Sequence, residues 1–136
     1  MTKPAEPWLV RAEDDLRFAK LGLDHEYYSQ VCFLAQQAAE KSLKALLIAR
    51  KGAYPRLHNL VGLIGQCLSS VPEISKFEPD ARILDQYYIP SRYPDGVPGM
   101  LPDRLPSEKH AQEALDIARS IFEFCLSFVS EQKGES

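Results

Sequence analysis

The sequence predicts an all-α protein: an antiparallel up-and-down bundle of four to five helices, with a long proline-rich loop before the last helix. Three observations predict this fold. Apolar residues recur every three to four positions along most of the chain, and no strand pattern stands out. The inferred helices have mostly short connections, which favour antiparallel neighbours. Half of the 10 prolines fall at every fourth position, a run that no α-helix tolerates. These prolines are Pro90, Pro94, Pro98, Pro102 and Pro106.

The first two helices are predicted over residues 5–23 and 26–51. Small residues dominate the middle of the second helix's apolar stripe, so another helix can approach it closely, and Gly52 suits the C′ position after it. Phe33, Leu34 and Ile48 lie outside that stripe. Apolar residues on two sides indicate either a buried central helix or a helix that also faces a partner subunit, and from this we expect a homodimer.

Three further helices are predicted over residues 57–70, 77–89 and 107–131. Pro72 stops the third helix, and Pro90 ends the fourth. The spacing of the fourth helix places four of its residues inward, and Ser107 is the expected N-cap of the last helix. The inward set is Phe77, Ala81, Leu84 and Tyr88.

The length indicates a single domain over residues 1–136. The chain is 45% apolar, too much for a disordered protein, and its net charge of −3 argues against coating DNA by bulk charge. Three cysteines far apart among apolar residues predict buried thiols rather than a disulfide framework. No segment approaches the roughly 18 apolar residues of a membrane helix. We therefore expect a cytoplasmic protein without a membrane partner.

The second helix carries a polar face. Five basic residues and one acid, Glu40, fall between Glu40 and His58. Gln37, Lys41, Lys44 and Lys51 lie within about 80° of one another on a helical projection. One interpretation is a solvated face. The other is an anion or phosphate groove, with a second basic wall from Arg92 or Arg104. A histidine at position 58 is expected to cap or pack.

Two other regions offer chemistry. The run from Asp85 to Asp95 carries Arg92 in a loop that its prolines stiffen. Its tyrosines, among them Tyr93, either pack the loop against the protein or, together with Arg92, hold a base and a phosphate. His110 follows Arg104 by six residues, in the first turn of the last helix. An imidazole base and a guanidinium could cleave RNA without a metal, although both can equally be surface residues. No metal-ligand spacing or Gly-rich phosphate loop is present, so we expect neither metal nor cofactor.

Taken in order, several segments resemble the HEPN family, over roughly residues 8–130. The most specific parts are the Gln-Gln-Ala-Ala-Glu-Lys motif at 36–41 and the Arg-Tyr-Pro-Asp motif at 92–95. The remaining parts are Trp8 through Leu23, His58-Asn59-Leu60, Tyr88-Ile89-Pro90-Ser91 and the alanine-rich last helix.

The resemblance implies a helical bundle that usually dimerises and is often encoded beside a minimal nucleotidyltransferase, as a pair that looks like a toxin–antitoxin system. Many members are metal-independent RNases with an Arg-x(4–6)-His signature, which Arg104 and His110 match in spacing. Others bind nucleotides. The chain departs from the RNase pattern at Leu105, where a polar residue is preferred, and at Gln112, where a tyrosine is common.

Three hypotheses follow. The leading one is a nucleotide- or RNA-binding module that acts with a nucleotidyltransferase partner, with Lys41, Lys44, Arg92 and Tyr93 lining the anion site. The second is an RNase toxin using Arg104 and His110. The third is a non-catalytic scaffold that binds only a protein partner.

Overall fold

The computed structural model describes residues 4–88, 97–101 and 103–135, with side chains up to residue 130. All regular structure in these ranges is helical, which confirms the predicted all-α bundle. None of the helices in these ranges combines the length and apolarity that crossing a membrane requires. The helices are α1 (Glu6–Asp24), α2 (Tyr28–Lys51), α3 (Leu60–Cys67), a 3-10 helix (Pro72–Phe77), α4 (Glu78–Asp85) and α5 (Glu108–Glu135).

Helix α2 is the centre of the bundle. It packs along α5 on one side and α1 on the other, and α3 contacts it as well. Ala35, Ala38 and Ala39 are fully buried, and their small side chains permit the neighbouring helices to approach closely. Every residue from 42 to 49 is buried, so the C-terminal half of α2 is covered all round. Each leucine buried there contributes about 1.5–3 kcal/mol.

The predicted C-terminal end of α2 agrees with the structure, whereas the helix begins at Tyr28 rather than at residue 26. Gly52 follows the last residue with φ of 79°, a left-handed conformation that glycine adopts without a steric cost. Its N–H donates to the carbonyl oxygen of Ile48 at 2.9 Å. This closes the helix at its C-terminus.

The predicted bounds of the third and fourth helices were wrong. Helix α3 begins only at Leu60, because the side chain of Asn59 caps it by accepting from the Gly62 N–H at 2.6 Å. A 3-10 helix that the sequence did not predict precedes α4, and α4 ends at Asp85. The chain then turns, so Tyr87 rather than Tyr88 points into the core, with 1% of its surface exposed.

Residues 97–101 of the proline-rich loop lie against the start of α2 and are hydrogen-bonded to the turn after α4. Gly99 has φ of 87°, and its N–H donates to the carbonyl oxygen of Tyr87 at 2.9 Å. A β-carbon at this position would overlap the carbonyl oxygen of Ser29. Only glycine therefore permits residues 97–101 to lie this close to the start of α2.

An apolar groove lies where this loop meets α1 and α2. Its volume is about 700 Å³, and Phe33 and Leu34 line it together with Phe18, Tyr27, Val97 and Leu105. Phe33 and Leu34 are half-buried and line this open groove, as the dimer hypothesis requires. Ile48 does not, because it is buried in the core.

The three cysteines are buried free thiols, as predicted. Burial raises the pKa of Cys32 to about 12 and that of Cys67 to about 11. It raises the pKa of Cys125 well above its ordinary value. The thiols therefore act as small apolar side chains that stay protonated at neutral pH.

Candidate functional site

The interior of the bundle contains a row of polar side chains along one face of α2. Gln36, Glu40 and Lys44 are spaced by four residues, so they follow one another along the helix. Their exposed fractions are 0%, 6% and 4%. Buried polar groups need hydrogen-bonding or ionic partners. These three residues and His58 contact one another and are called here the α2 polar cluster.

A buried ion pair lies at the middle of the cluster. Nζ of Lys44 is 2.8 Å from Oε2 of Glu40. The same ammonium lies 5.5 Å from the ring centre of Trp8 and 5.2 Å from that of Tyr54. The two rings meet edge to face at 5.0 Å and present their electron-rich faces to the cation. The aromatic rings and the Glu40 carboxylate together enclose Nζ of Lys44.

The cluster reaches solvent at His58. Its Nδ1 lies 3.1 Å from Oε2 of Glu40, and its side chain is 56% exposed. A carboxylate only accepts hydrogen bonds, so Nδ1 must carry a proton and the lone pair of the neutral ring is on Nε2. The ring of Tyr88 lies beside the imidazole, with a centroid separation of 5.8 Å.

The backbone around His58 is fixed from two directions. Nε2 of Gln36 donates to the carbonyl oxygen of His58 at 2.9 Å. The carboxylate of Asp85 accepts from the N–H groups of Leu60 at 2.8 Å and Val61 at 3.2 Å. This carboxylate also lies at the N-terminus of α3, where it interacts favourably with the positive end of the helix dipole. The imidazole is therefore presented from a rigid base.

The two carboxylate oxygens of Glu40 differ in their hydrogen bonding. Oε1 is buried and has no hydrogen-bond partner among the described residues. Leaving an acceptor buried and unsatisfied costs about 1–3 kcal/mol. Oε2, by contrast, contacts both Lys44 and His58.

The structure places both predicted anion-site lysines against carboxylates. Nζ of Lys41 is 2.6 Å from Oδ2 of Asp15 on α1, and Lys44 pairs with Glu40. The solvated-face interpretation is wrong for Lys44, which is buried because Trp8 and Tyr54 cover it. Nζ of Lys51 donates to the Gln66 carbonyl oxygen at 2.7 Å.

Arg92 and Tyr93 lie outside the described residues. Tyr88, the last described residue before them, contacts His58.

The geometry at His110 bears on its use as a base. The backbone N–H of Ser107 donates to Nδ1 of His110 at 3.1 Å. Nδ1 is then the acceptor nitrogen, and the neutral ring carries its proton on Nε2. His110 has the opposite tautomer from His58. The guanidinium of Arg104 is 63% exposed and lies 3.8 Å from the Asp103 carboxylate.

Sequence reasoning missed the central residues of this cluster. Glu40 counted as the single acid in a basic segment, and Gln36, Glu40 and Trp8 entered only through the family resemblance. None of these residues, nor Tyr54, was predicted to belong to a site. The i, i+4 spacing of Glu40 and Lys44 was a usable signal for an ion pair. Among the described residues, no group of three or more histidine, cysteine, aspartate or glutamate side chains could hold a metal ion.

Together these features define an all-helical bundle whose central helix carries a buried polar cluster that opens to solvent at a histidine. The model of the HEPN domain family matches residues 5–130. The chain belongs to the HEPN family.

Known proteins resemble the chain over nearly its whole length. A Methanocaldococcus jannaschii protein named "Putative toxin MJ1304" is 28% identical over 97% of this chain and 92% of its own length. The crystal structure of ST0689, an archaeal HEPN homologue, is 34% identical with a TM-score of 0.73, over 92% of this chain and 97% of that one. The crystal structure of TT1696 from Thermus thermophilus is 37% identical with a TM-score of 0.70, over 97% of this chain and 99% of that one.

Proposed function

We propose that this chain is a toxin-like HEPN module that binds a nucleotide or RNA where the α2 polar cluster meets the loop after α4. The observation that carries the proposal is the half-exposed imidazole of His58, which Glu40 orients and which lies beside the ring of Tyr88. An imidazole and an aromatic ring suit a phosphate and a base. The name of the M. jannaschii relative supports the toxin-like role.

In this proposal Arg92 and Tyr93 supply the direct contacts to the phosphate and the base. Lys41 and Lys44 complete the anion site from α2. Each lysine is paired with a carboxylate. When the anion binds, the lysine ammonium either keeps this carboxylate as its partner or exchanges it for the anion.

Titration of ATP and of a short RNA against the wild type and Arg92→Ala tests this site. We expect at least about a tenfold loss of affinity in the variant, since a charge-assisted contact to phosphate contributes about 1.5–3 kcal/mol. Arg82→Ala is the matched control, because Arg82 is an exposed arginine of α4 paired with Glu78. Equal affinity in Arg92→Ala and wild type, or no binding by either, would remove the proposal.

The same proposal includes a homodimer built on α2 and α5 and a minimal nucleotidyltransferase as the antitoxin partner. The exposed apolar side chains of the groove, which lies between α1, the start of α2 and the loop, support a self-association surface that includes α2. Phe33→Asp should then convert the dimer to a monomer in sedimentation at micromolar concentration. Val10→Asp, at an exposed apolar residue of α1, is the control. A monomeric wild type ends the dimer hypothesis.

The cytoplasmic location expected from the sequence stays a prediction.

A second candidate function is an RNase toxin that uses Arg104 and His110. The name of the M. jannaschii relative favours it. Expression in a heterologous host should then arrest growth, and His110→Ala should restore it. The tautomer that Ser107 imposes on His110 counts against a role as base, since its Nε2 carries a proton. Harmless expression of the wild type would oppose this candidate.

The third candidate, a scaffold that binds only protein, makes a different prediction. The protein would bind no nucleotide or RNA, and it would still co-purify with the product of the neighbouring gene.

A further inference from the structure

We propose that the groove between α1 and α5 is a docking site for an amphipathic helix of a partner protein, which carries acidic side chains in one turn and basic side chains in the next. None of the residues that line this α1–α5 groove belongs to the α2 polar cluster. The inference therefore stands separately from the binding of a nucleotide or RNA proposed above.

The α1–α5 groove follows the line along which these two helices pack against each other. It has two parts, with volumes of about 500 Å³ and about 290 Å³. Glu13 and Phe122 line both parts, so the groove is continuous. It extends from Glu6 to Leu21 of α1, which at 1.5 Å per residue is about 22 Å. A partner helix of about 15 residues covers this length.

The floor of the groove is apolar. Four core side chains line it with the small part of their surface that stays accessible: Leu9, Leu16, Phe122 and Val129. Val10, Leu21 and Leu126 also line it, and they are 58%, 57% and 39% exposed. A furrow between two packed helices accepts the apolar ridge of a third helix. Covering these exposed side chains would remove apolar surface from water, which favours association.

The two helices run antiparallel along the groove. Residues 13–21 of α1 line one part together with residues 119–123 of α5. Residues 6–13 of α1 line the other part together with residues 122–130 of α5. The end of the groove at residue 6 of α1 is therefore also its end at residue 130 of α5.

This direction sets the order of the charges along the groove. Arg17 on α1 and Arg119 on α5 lie towards one end. Each helix carries a glutamate four residues, or about one turn, from its arginine, and both glutamates lie on the side of the other end. These are Glu13 and Glu123. Both walls thus present a positive charge and then, one turn further, a negative charge.

The four charged side chains are exposed, and none of them forms a salt bridge with another residue that the structure describes. Lys20, which also lines the arginine end, is by contrast paired with Asp24. A helix with acids at the level of the arginines and bases one turn further meets opposite charges on both walls. This complementarity also fixes the direction in which a given partner helix lies.

The charge order distinguishes a helix from other occupants of an apolar groove. A lipid chain would contact the floor but has no use for charges of both signs. A nucleic acid would be attracted by Arg17 and Arg119 and repelled by Glu13 and Glu123. A protein helix is the occupant that matches the length, the floor and both signs of charge.

Two fluorescein-labelled peptides of about 15 residues, measured by fluorescence anisotropy with the full chain, test the charge order. Both carry leucines at i, i+3, i+4 and i+7 spacing. The first has glutamates beside the leucines in one turn and lysines in the next, and the second has lysines in both turns. We expect the wild type to bind the first peptide at least about tenfold more tightly. The double variant Arg17→Glu with Arg119→Glu should reverse this preference, because its groove is acidic throughout.

Val10→Asp tests the apolar floor. The residue is exposed, so we expect a wild-type melting temperature and at least about a tenfold loss of affinity for the first peptide. Phe33→Asp is the matched control, because Phe33 lines the apolar groove at the loop and not the α1–α5 groove. It should bind the first peptide like the wild type.

Each remaining outcome overturns the inference. No binding of the first peptide by the wild type does so, and so does equal affinity for the two peptides or equal affinity of Val10→Asp and wild type. Dissociation of a wild-type dimer by Val10→Asp would assign the groove to a second copy of this chain and would also overturn it. None of these results affects the titration of ATP or RNA against Arg92→Ala.

Discussion

Nε2 of Gln36, in the middle of α2, donates a hydrogen bond of 2.9 Å to the main-chain carbonyl oxygen of His58. These residues are 22 positions apart in the chain, and Gln36 is completely buried. The bond fixes the segment that leads into α3 against the central helix. The position of the exposed imidazole therefore depends on a residue that no ligand can touch.

We expect Gln36→Leu to destabilise the fold by about 1–3 kcal/mol. Leucine keeps the size of the side chain but leaves the carbonyl oxygen of His58 without its donor. Gln112→Leu is the control, because Gln112 is exposed on α5, where such changes are usually within about 0.5 kcal/mol. Urea unfolding followed by circular dichroism measures both. Equal stability of the two variants would show that the Gln36 bond contributes nothing.

The ion pair of Glu40 and Lys44 should show strong coupling. Replacing either residue alone with methionine leaves an unpaired buried charge, at a cost of about 3–5 kcal/mol. Replacing both with methionine should recover most of that loss, since an apolar pair of similar volume needs no compensation. A double-mutant cycle in urea measures the coupling.

Lys20 and Asp24 form the matched control for this cycle. They are also spaced i, i+4, with Nζ–Oδ1 at 2.7 Å, but their side chains are 50% and 52% exposed. Their coupling should be about 0.5 kcal/mol or less. A coupling between Glu40 and Lys44 as small as this would contradict the proposed burial of the charged pair.

Gly99→Ala should destabilise the protein, by about 1–3 kcal/mol. The residue has positive φ, and a β-carbon would overlap the carbonyl oxygen of Ser29. Gly65→Ala is the opposite case, because nothing lies within 4 Å of the new β-carbon in α3. There alanine should stabilise by up to about 1 kcal/mol, from helix propensity. Thermal unfolding that moved both variants in the same direction would refute this contrast.

Stability should fall as the solution becomes alkaline. The thiols of Cys32 and Cys67 have folded pKa values of about 12 and about 11, above the ordinary value of 9.0. The unfolded chain therefore loses these protons first. Below about pH 9 both thiols are protonated in the folded and unfolded states, and their contribution to the free energy of unfolding is fully present. As pH rises from there through the folded pKa, the free energy of unfolding falls by about 1.4 kcal/mol per pH unit for each thiol.

Cys67→Ala isolates one of these thiols. The variant loses packing at every pH, but its free energy of unfolding should decline less steeply than that of the wild type between about pH 9 and 11. Urea titrations at several pH values measure the two slopes. Parallel slopes would mean that Cys67 ionises equally well in the folded and unfolded states.

The sequence by itself determined the class of fold and the order of the helices. Helix periodicity, Gly52 and the prolines act over a few residues, so their consequences are visible in local sequence. Local signals were weaker where helices are short. α3 and α4 are eight residues each, and a capping side chain or a turn decided their ends.

The tertiary structure alone decided the candidate site. Lys44 looks like a solvated lysine in the sequence, and it is buried because Trp8 from α1 and Tyr54 from the segment before α3 cover it. Glu40 becomes an orienting carboxylate only because His58 is brought to 3.1 Å from it. Burial, ionisation and tautomer depend on neighbours distant in the chain, and helix periodicity carries no information about those neighbours.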